Sequence, residues 1–272
     1  EELEKSLDGT YTPDCRYNSC QKCGACDFDT IKPLVQNRKR TPPVRSERNA
    51  KPVKSVTEQA SKFKYLVTYS RKGLICYLGH LEILQIIFRR LRRANIKTNF
   101  SKGFNPSPKV SFGPALPVGT ESLCEYFMME LPAPLENCEA TAESLSRALP
   151  EGLDISAVTL HDGRLPQAME ITYQINLNEP LSQENIEKIS RFMNAEQYII
   201  ERILKGKRKP FDIRPVVTAL TPNSQSSIIL KTISRSGAPG IKPTEALAHI
   251  LDREIDELLK AEICKTDWQS ID

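Results

Sequence analysis

Four cysteines form the densest group of chemically reactive side chains in the sequence. Cys15, Cys20, Cys23 and Cys26 stand in a C-x4-C-x2-C-x2-C run. Thiolates two residues apart can turn onto one metal centre, and Gly24 permits the tight backbone that this needs. The spacing therefore predicts a metal site with these four thiolates as ligands. Compact runs favour a 4Fe–4S cluster, and zinc is the alternative.

Length and composition limit the classes of protein to consider. The 272 residues are 39% hydrophobic, enough for one large or two modest cores. No apolar run approaches a membrane span, so we expect no membrane partner. Eight cysteines, four of them scattered among apolar neighbours, do not suit a small secreted disulfide scaffold. A reduced, cytoplasmic location is predicted. The N-terminus lacks Met and any signal pattern, which indicates a fragment of a larger chain.

The charges are segregated along the sequence although the net charge is only +4. Residues 36–54 hold seven Lys and Arg against one acid, and residues 61–118 hold eleven against one. Residues 119–201 hold fifteen acids against four bases, and residues 202–215 hold six bases against one acid. If this segregation survives folding, it gives the basic face typical of a protein with a polyanion partner. The alternative is that the charges intermix.

The chain divides into four segments. Residues 1–35 carry the cysteines, and residues 36–60 are basic, rich in Pro and Ser and poor in large apolar residues, which predicts a linker. Residues 61–162 give the order β-α-β-β-α-β, the split βαβ arrangement of a ferredoxin-like fold. Residues 163–272 are a looser copy, with a helix at Gln183–Asn194, a basic turn at Lys205–Lys209 and a helix from Pro243 to about Leu259. The sequence therefore predicts an α+β chain with two tandem ferredoxin-like units.

Basic and aromatic side chains after residue 60 are candidates for binding nucleic acid. Lys and Arg neutralise phosphates and release counterions, and aromatic rings can stack on bases. The candidates lie on the first helix of this region, in the loop after it and in the later turn: Arg89, Arg92, Arg93, Lys102, Phe104, Lys109, Lys205, Lys207, Arg208 and Lys209. The alternatives are a solvated helix face and a plain hairpin tip.

Several motifs resemble those of a known bacterial family. The cysteine run DCRYNSCQKCGACDF is similar to a segment at the end of large radical SAM proteins. The rest resembles the radical-SAM-associated domain of unknown function, at residues 77–81 (YLGHL), 101–109 (SKGFNPSPK), 117–122 (PVGTES) and 209–215 (KPFDIRP). The resemblance covers nearly the whole chain, but this chain lacks the family's catalytic barrel.

The resemblance implies an accessory region whose radical SAM core belongs to the same polypeptide and is absent from this chain. S-adenosylmethionine would bind only in that missing core. The cysteine run is not the C-x3-C-x2-C arrangement that leaves one iron open for this cofactor. A cluster here would be coordinatively closed, with a structural or electron-transfer role.

Three functions fit these observations. In the first, the region binds RNA, either ribosomal or transfer RNA, and presents it to the core. In the second, it is an RNA endonuclease of the CRISPR repeat-processing type, with His80 as general base and Lys102 or Lys109 stabilising the developing charge. The alternative role of His80 is to orient its loop. In the third, the region is a scaffold that docks a protein.

Overall fold

The structure, a computed structural model, describes residues 2–9, 14–15, 17–20, 26–27, 30, 62–102, 104–204 and 206–272. The chain divides into two compact units, residues 1–57 and 58–272. In the first unit, α1 spans Glu2–Leu7. The predicted linker, residues 36–60, lies outside the described residues. None of the helices in the described ranges is long and apolar enough to cross a membrane.

The first half of the second unit, residues 62–162, packs two helices on an antiparallel sheet. Its elements are β1 (Phe63–Arg71), a 3-10 turn (Gly73–Tyr77), α2 (His80–Arg93), β2 (Val110–Phe112), β3 (Thr120–Leu131), α3 (Cys138–Ala148) and β4 (Leu153–Leu160). The strands lie in the order β4-β1-β3, with β2 paired to β3. Ile83, Ile87 and Leu91, spaced four residues apart on α2, share one buried cluster with Val67 and Phe127.

The second half, residues 163–272, packs helices on four antiparallel strands and also carries a separate two-stranded hairpin. Its elements are β5 (Ala168–Asn176), α4 (Gln183–Asn194), β6 (Ile199–Leu204), β7 (Lys207–Asp212), β8 (Val217–Pro222), β9 (Ser227–Arg235), α5 (Pro243–Leu251), α6 (Ile255–Leu258) and β10 (Glu262–Ser270). The antiparallel order is β10-β5-β9-β8, whereas β6 and β7 pair only with each other. Its core is a second buried cluster that includes Ile175, Phe192 and Leu247.

The two halves share one continuous sheet. Strand β10 pairs antiparallel with β5 and parallel with the first residues of β3, where Ile263 lies opposite Thr120 and Lys265 opposite Ser122. The result is a mixed eight-stranded sheet with helices packed on it. The architecture is therefore a mixed α/β fold in which β3 and β10, distant in sequence, lie side by side.

Two local predictions are wrong. The single helix expected from Pro243 to about Leu259 is interrupted, because Asp252 adopts a left-handed conformation at φ 56° that ends α5. The basic turn expected at Lys205–Lys209 is shorter. The chain reverses beside Gly206, whose φ of 75° suits a tight turn, so the remaining residues of that segment belong to β7.

Candidate nucleic-acid interface

A hairpin formed by residues 100–108 projects from the first half. Phe100 and Pro108 form an antiparallel bridge. Within it, the Ser101 backbone N–H donates to the Ser107 carbonyl at 2.9 Å, and the Ser107 N–H donates to the Ser101 hydroxyl at 3.0 Å. These bonds close the hairpin near its base. Gly103, at the tip, lies outside the described residues.

The base of the 100–108 hairpin is fixed to β3 by one carboxylate. Lys109 Nζ donates to Glu130 Oε1 at 2.9 Å, and Asn99 Nδ2 donates to the same oxygen at 3.0 Å. Burial alone would raise the pKa of Glu130, but these two hydrogen bonds outweigh it and lower the pKa below its usual value. Lys109, predicted to contact nucleic acid, is therefore engaged in positioning the hairpin.

The tip of the hairpin presents its side chains to solvent. Lys102, Asn105 and Pro106 are exposed, and the Phe104 ring is fully exposed. An exposed phenyl ring forgoes the burial that ordinarily stabilises such a side chain by about 1.5–3 kcal/mol. A hydrogen-bonded hairpin that presents this ring to water suits a role in contact with a partner.

The last two turns of α2 carry the predicted arginines. Arg89, Arg92 and Arg93 are all exposed. Cations at the C-terminal end of a helix are stabilised by the helix dipole, so their position alone does not identify a ligand. Among the residues that the structure describes, none of the three forms an ion pair with a carboxylate.

The end of α2 meets the base of the 100–108 hairpin around a shared cavity. This cavity, of about 240 Å³, is lined by residues of both elements, including Phe88, Arg92, Lys97, Phe100 and Pro108. Phe100 is exposed, and so are both basic residues. The structure thus brings basic and aromatic side chains together in one place, although the sequence analysis had not selected Lys97 or Phe100.

The second predicted basic cluster lies on the β6–β7 hairpin of the second half. Lys207, Arg208 and Lys209 are exposed on β7. Arg208 Nη1 lies 3.3 Å from Glu201 Oε2 across the hairpin. Lys205 lies outside the described residues. This cluster stands in the other half from α2, and part of its charge is compensated locally.

His80 is the first residue of α2, at the end distant from the arginines. Its ring packs edge-on against Phe112 with centroids 6.0 Å apart. Burial lowers the pKa of His80, with Glu125 opposing and Arg71 adding to the shift. Among the described residues, no hydrogen bond links His80 to Lys102 or Lys109. The nuclease arrangement stays a prediction, without a structural feature that favours it.

The predicted metal ligands are only partly covered by the structure. Cys15 and Cys26 are half-buried and Cys20 is exposed, whereas Cys23 lies outside the described residues. Within the ranges that the structure describes, no three His, Cys, Asp or Glu side chains come together as metal ligands. The cluster therefore stays a prediction from the cysteine spacing.

A buried ion pair, missed in the sequence, lies where the two halves meet. Lys265 Nζ on β10 donates to Glu125 Oε1 on β3 at 2.7 Å, and both side chains are less than a tenth exposed. The Ser122 hydroxyl donates to the same carboxylate oxygen at 3.1 Å. Burial, reinforced by the charge of Glu125, raises the pKa of Tyr69 and Tyr126. These tyrosines stay protonated at neutral pH.

Comparisons with known proteins identify the family. Residues 64–243 match the family model DUF2344, described as an uncharacterized protein conserved in bacteria. The chain belongs to this family. No curated protein matches it.

Two solved structures show low similarity to the chain. A chain of a Cbf5–Nop10–Gar1 complex is 13% identical, with a TM-score of 0.38, over 75% of this chain and 48% of that one. This chain thus spans about half the length of that neighbour. An unknown protein from Galdieria sulphuraria is 11% identical, with a TM-score of 0.25, over 78% of this chain and 100% of that one.

Proposed function

We propose that this chain is an RNA-binding accessory region, and that the 100–108 hairpin together with the end of α2 forms its binding surface. The observation that carries the proposal is the shared cavity, which Arg92, Lys97 and Phe100 line together. The fully exposed ring of Phe104 belongs to the same hairpin as Phe100. Cations that lack carboxylate partners can bind phosphates. Exposed rings can stack on unpaired bases.

Single-stranded RNA fits this surface better than a duplex does. Bases of single-stranded loops and ends are free to stack on aromatic side chains, whereas the bases of an RNA helix are already stacked. Phe104 and Phe100 provide two exposed rings on one hairpin. Arg89, Arg92 and Lys97 provide charge for the backbone. Lys109 acts indirectly, since its ammonium group holds the hairpin to Glu130.

The proposal is tested by measuring the fluorescence anisotropy of a labelled single-stranded RNA titrated with the full chain at several salt concentrations. Phe104→Ala should weaken binding by about tenfold, because loss of one stacked base costs about 1–3 kcal/mol. Arg92→Gln should weaken binding and reduce the slope of log K against log salt by about one. Neither change should alter thermal stability appreciably, because both side chains are exposed.

Tyr77→Ala is the matched control, because Tyr77 is another exposed aromatic side chain, on the 3-10 turn. It should leave RNA affinity unchanged. Equal losses from Tyr77→Ala and Phe104→Ala, or no salt-dependent binding by the unmodified chain, would contradict the proposal.

We also propose that each half of residues 62–272 is a ferredoxin-like unit. In support, the orders β4-β1-β3-β2 and β10-β5-β9-β8 are both antiparallel, and each has helices in the two crossover connections. The β6–β7 hairpin would then be an insertion between α4 and β8. Replacing this hairpin by a short linker should keep the second half folded but less stable, because Ile200 and Arg202 pack against it. Far-UV circular dichroism and urea unfolding measure both effects.

The link to a radical SAM core and the bound cluster rest on the sequence resemblance and on the cysteine spacing. When bound, a 4Fe–4S cluster would supply structural support or electron transfer, and Cys15, Cys20, Cys23 and Cys26 would hold it. Anaerobic purification with iron and sulfide analysis tests this: Cys20→Ala should lose both elements. A colourless protein with bound zinc would show that the four cysteines form a structural zinc site and not an iron–sulfur cluster.

A further inference from the structure

Three arginines from two helices surround one surface cavity in the first half. Arg90 and Arg93 on α2 and Arg147 on α3 line a cavity of about 450 Å³. The Ser144 side chain, one turn before Arg147, lies on the same wall, and its hydroxyl can donate a hydrogen bond. No acidic residue lines this cavity. The cavity is thus lined by hydrogen-bond donors and apolar side chains.

The arginines of this cavity are not neutralised by the protein. Within the described part of the chain, no carboxylate pairs with Arg90, Arg93 or Arg147. Arg147 Nε donates to the Glu143 backbone carbonyl at 3.4 Å, which leaves its two terminal nitrogens available. This bond also holds the guanidinium group at the end of α3.

Helix dipoles do not account for this arrangement. Each arginine lies in the last turn of its helix, where a cation is stabilised. That effect places a cation near each helix end but gives no reason to gather three of them around one cavity. Like charges repel each other, and an anion bound among the three arginines would offset their mutual repulsion.

We propose that this arginine cavity binds a phosphate group. Guanidinium groups bind phosphate oxygens through paired, charge-assisted hydrogen bonds, and three of them can surround a tetrahedral anion. The volume falls in the range of roughly 300–1,000 Å³ that is usual for small-ligand sites, so the group attached to the phosphate also fits. Leu149 and Ala94 line the cavity with apolar surface for that group.

The phosphate can come from the RNA backbone or from a free phosphate compound. The RNA source rests on the proposed function, since Arg89 and Arg92, adjacent in sequence to the cavity arginines, belong to the proposed RNA surface. Binding of phosphate itself does not rest on it. The two sources are distinguished by measuring a small anion and RNA separately.

The experiment is isothermal titration of the full chain with inorganic pyrophosphate at constant ionic strength, with chloride as the balancing anion. Arg147→Gln and Arg93→Gln should each weaken binding by about tenfold, as expected for the loss of one charge-assisted hydrogen-bond pair. Arg191→Gln is the matched control: Arg191 is also an exposed arginine in the last turn of a helix, α4, and it does not line the cavity. It should leave pyrophosphate affinity unchanged.

The outcomes separate this site from the RNA proposal. If Arg147→Gln weakens both pyrophosphate and RNA, the cavity holds a backbone phosphate. If it weakens pyrophosphate alone, the site stands and its ligand is a free phosphate compound. If the unmodified chain does not bind RNA but binds pyrophosphate through these arginines, the RNA proposal fails and the site stands. If pyrophosphate does not bind, or Arg147→Gln weakens its binding no more than Arg191→Gln does, the site is refuted.

Discussion

The first half (residues 62–162) and the second half (residues 163–272) share an order of strands and helices but differ in how their cations are held. In the second half, Arg202 forms two bonds to Glu245, at 2.6 and 2.8 Å, and lies 4.0 Å over the Phe211 ring. Lys231 lies 3.3 Å from Glu170. These two cations are thus held within the protein.

In the first half the cations of the two helices point to solvent and cavities instead. Arg90, Arg93 and Arg147 surround one cavity, and Arg92 lines another. The same arrangement of strands and helices therefore supports two kinds of surface. Strand order does not determine which half binds an anion. What distinguishes Arg202 and Lys231 from the arginines of α2 and α3 is a carboxylate within reach.

The largest effect is expected where the two halves meet. Lys265→Met should lower the free energy of unfolding by about 3–5 kcal/mol, because it leaves the Glu125 carboxylate buried without its partner. Urea unfolding measures this, with the fluorescence of Trp268, which stacks on Tyr126, as one probe.

The control for this change is the double variant Glu125→Leu/Lys265→Met. Removing both charges should restore most of the lost stability, because no buried charge is left unpaired. A double variant as unstable as the single one would mean that Lys265 stabilises the junction through packing and not through its charge.

The next effect tests whether cations with and without a carboxylate partner differ in RNA binding. Arg202→Gln in the second half should cost about 2 kcal/mol of stability, since it breaks a partly buried charged pair, and it should not change RNA affinity. Arg92→Gln should weaken RNA binding and leave the stability nearly unchanged. Thermal unfolding and RNA titration of both variants suffice. Similar effects of the two changes on RNA affinity would remove the distinction between the halves.

A smaller effect concerns the base of the 100–108 hairpin. The pKa of Glu130 is lowered in the folded state, so its ionised form contributes stability above its unfolded pKa of about 4.3, and this contribution is lost as the pH falls through the folded pKa. Glu130→Gln should cost about 1 kcal/mol at neutral pH. The difference from the unmodified chain should vanish in acid. Urea midpoints measured across the acid range check this, and a difference that persists would contradict it.

The smallest effect is expected on the β6–β7 hairpin. Lys209→Gln should weaken RNA binding less than Arg92→Gln does, because its cluster is partly neutralised by Glu201 and lies in the half without the aromatic hairpin. Anisotropy titrations at one salt concentration compare the two. A larger loss from Lys209→Gln would move the proposed surface to the second half.

The sequence predicted elements well where one local pattern determines them. Helix α4 occupies its predicted residues, Gln183–Asn194, because Ser182 caps it and its apolar residues recur at helical spacing. Strand β7 was missed because Lys-Arg-Lys lacks the apolar alternation of a strand, and cross-strand pairing with β6 overrides this weak propensity.

The sites depend on contacts that no local pattern contains. The Lys265–Glu125 pair joins residues 140 positions apart. The arginine cavity exists only because the ends of α2 and α3 are adjacent in the fold. Phe104 and the α2 arginines were selected from the sequence by residue type, but the paired state of Lys109 was not, because Glu130 reaches it only through the packing of β3 against the 100–108 hairpin.

The position of β10 between β3 and β5 has a consequence for synthesis of the chain. The ribosome makes β3 long before residues 262–270, yet these residues must insert between strands of both halves to complete the sheet. Until they emerge, the edges of β3 and β5 that β10 will cover lack their partner, and such edges can pair with other chains. The interval between translation of β5 and of β10 is thus a period of exposure to misassembly, during which a chaperone or an already folded neighbouring domain would have its greatest influence.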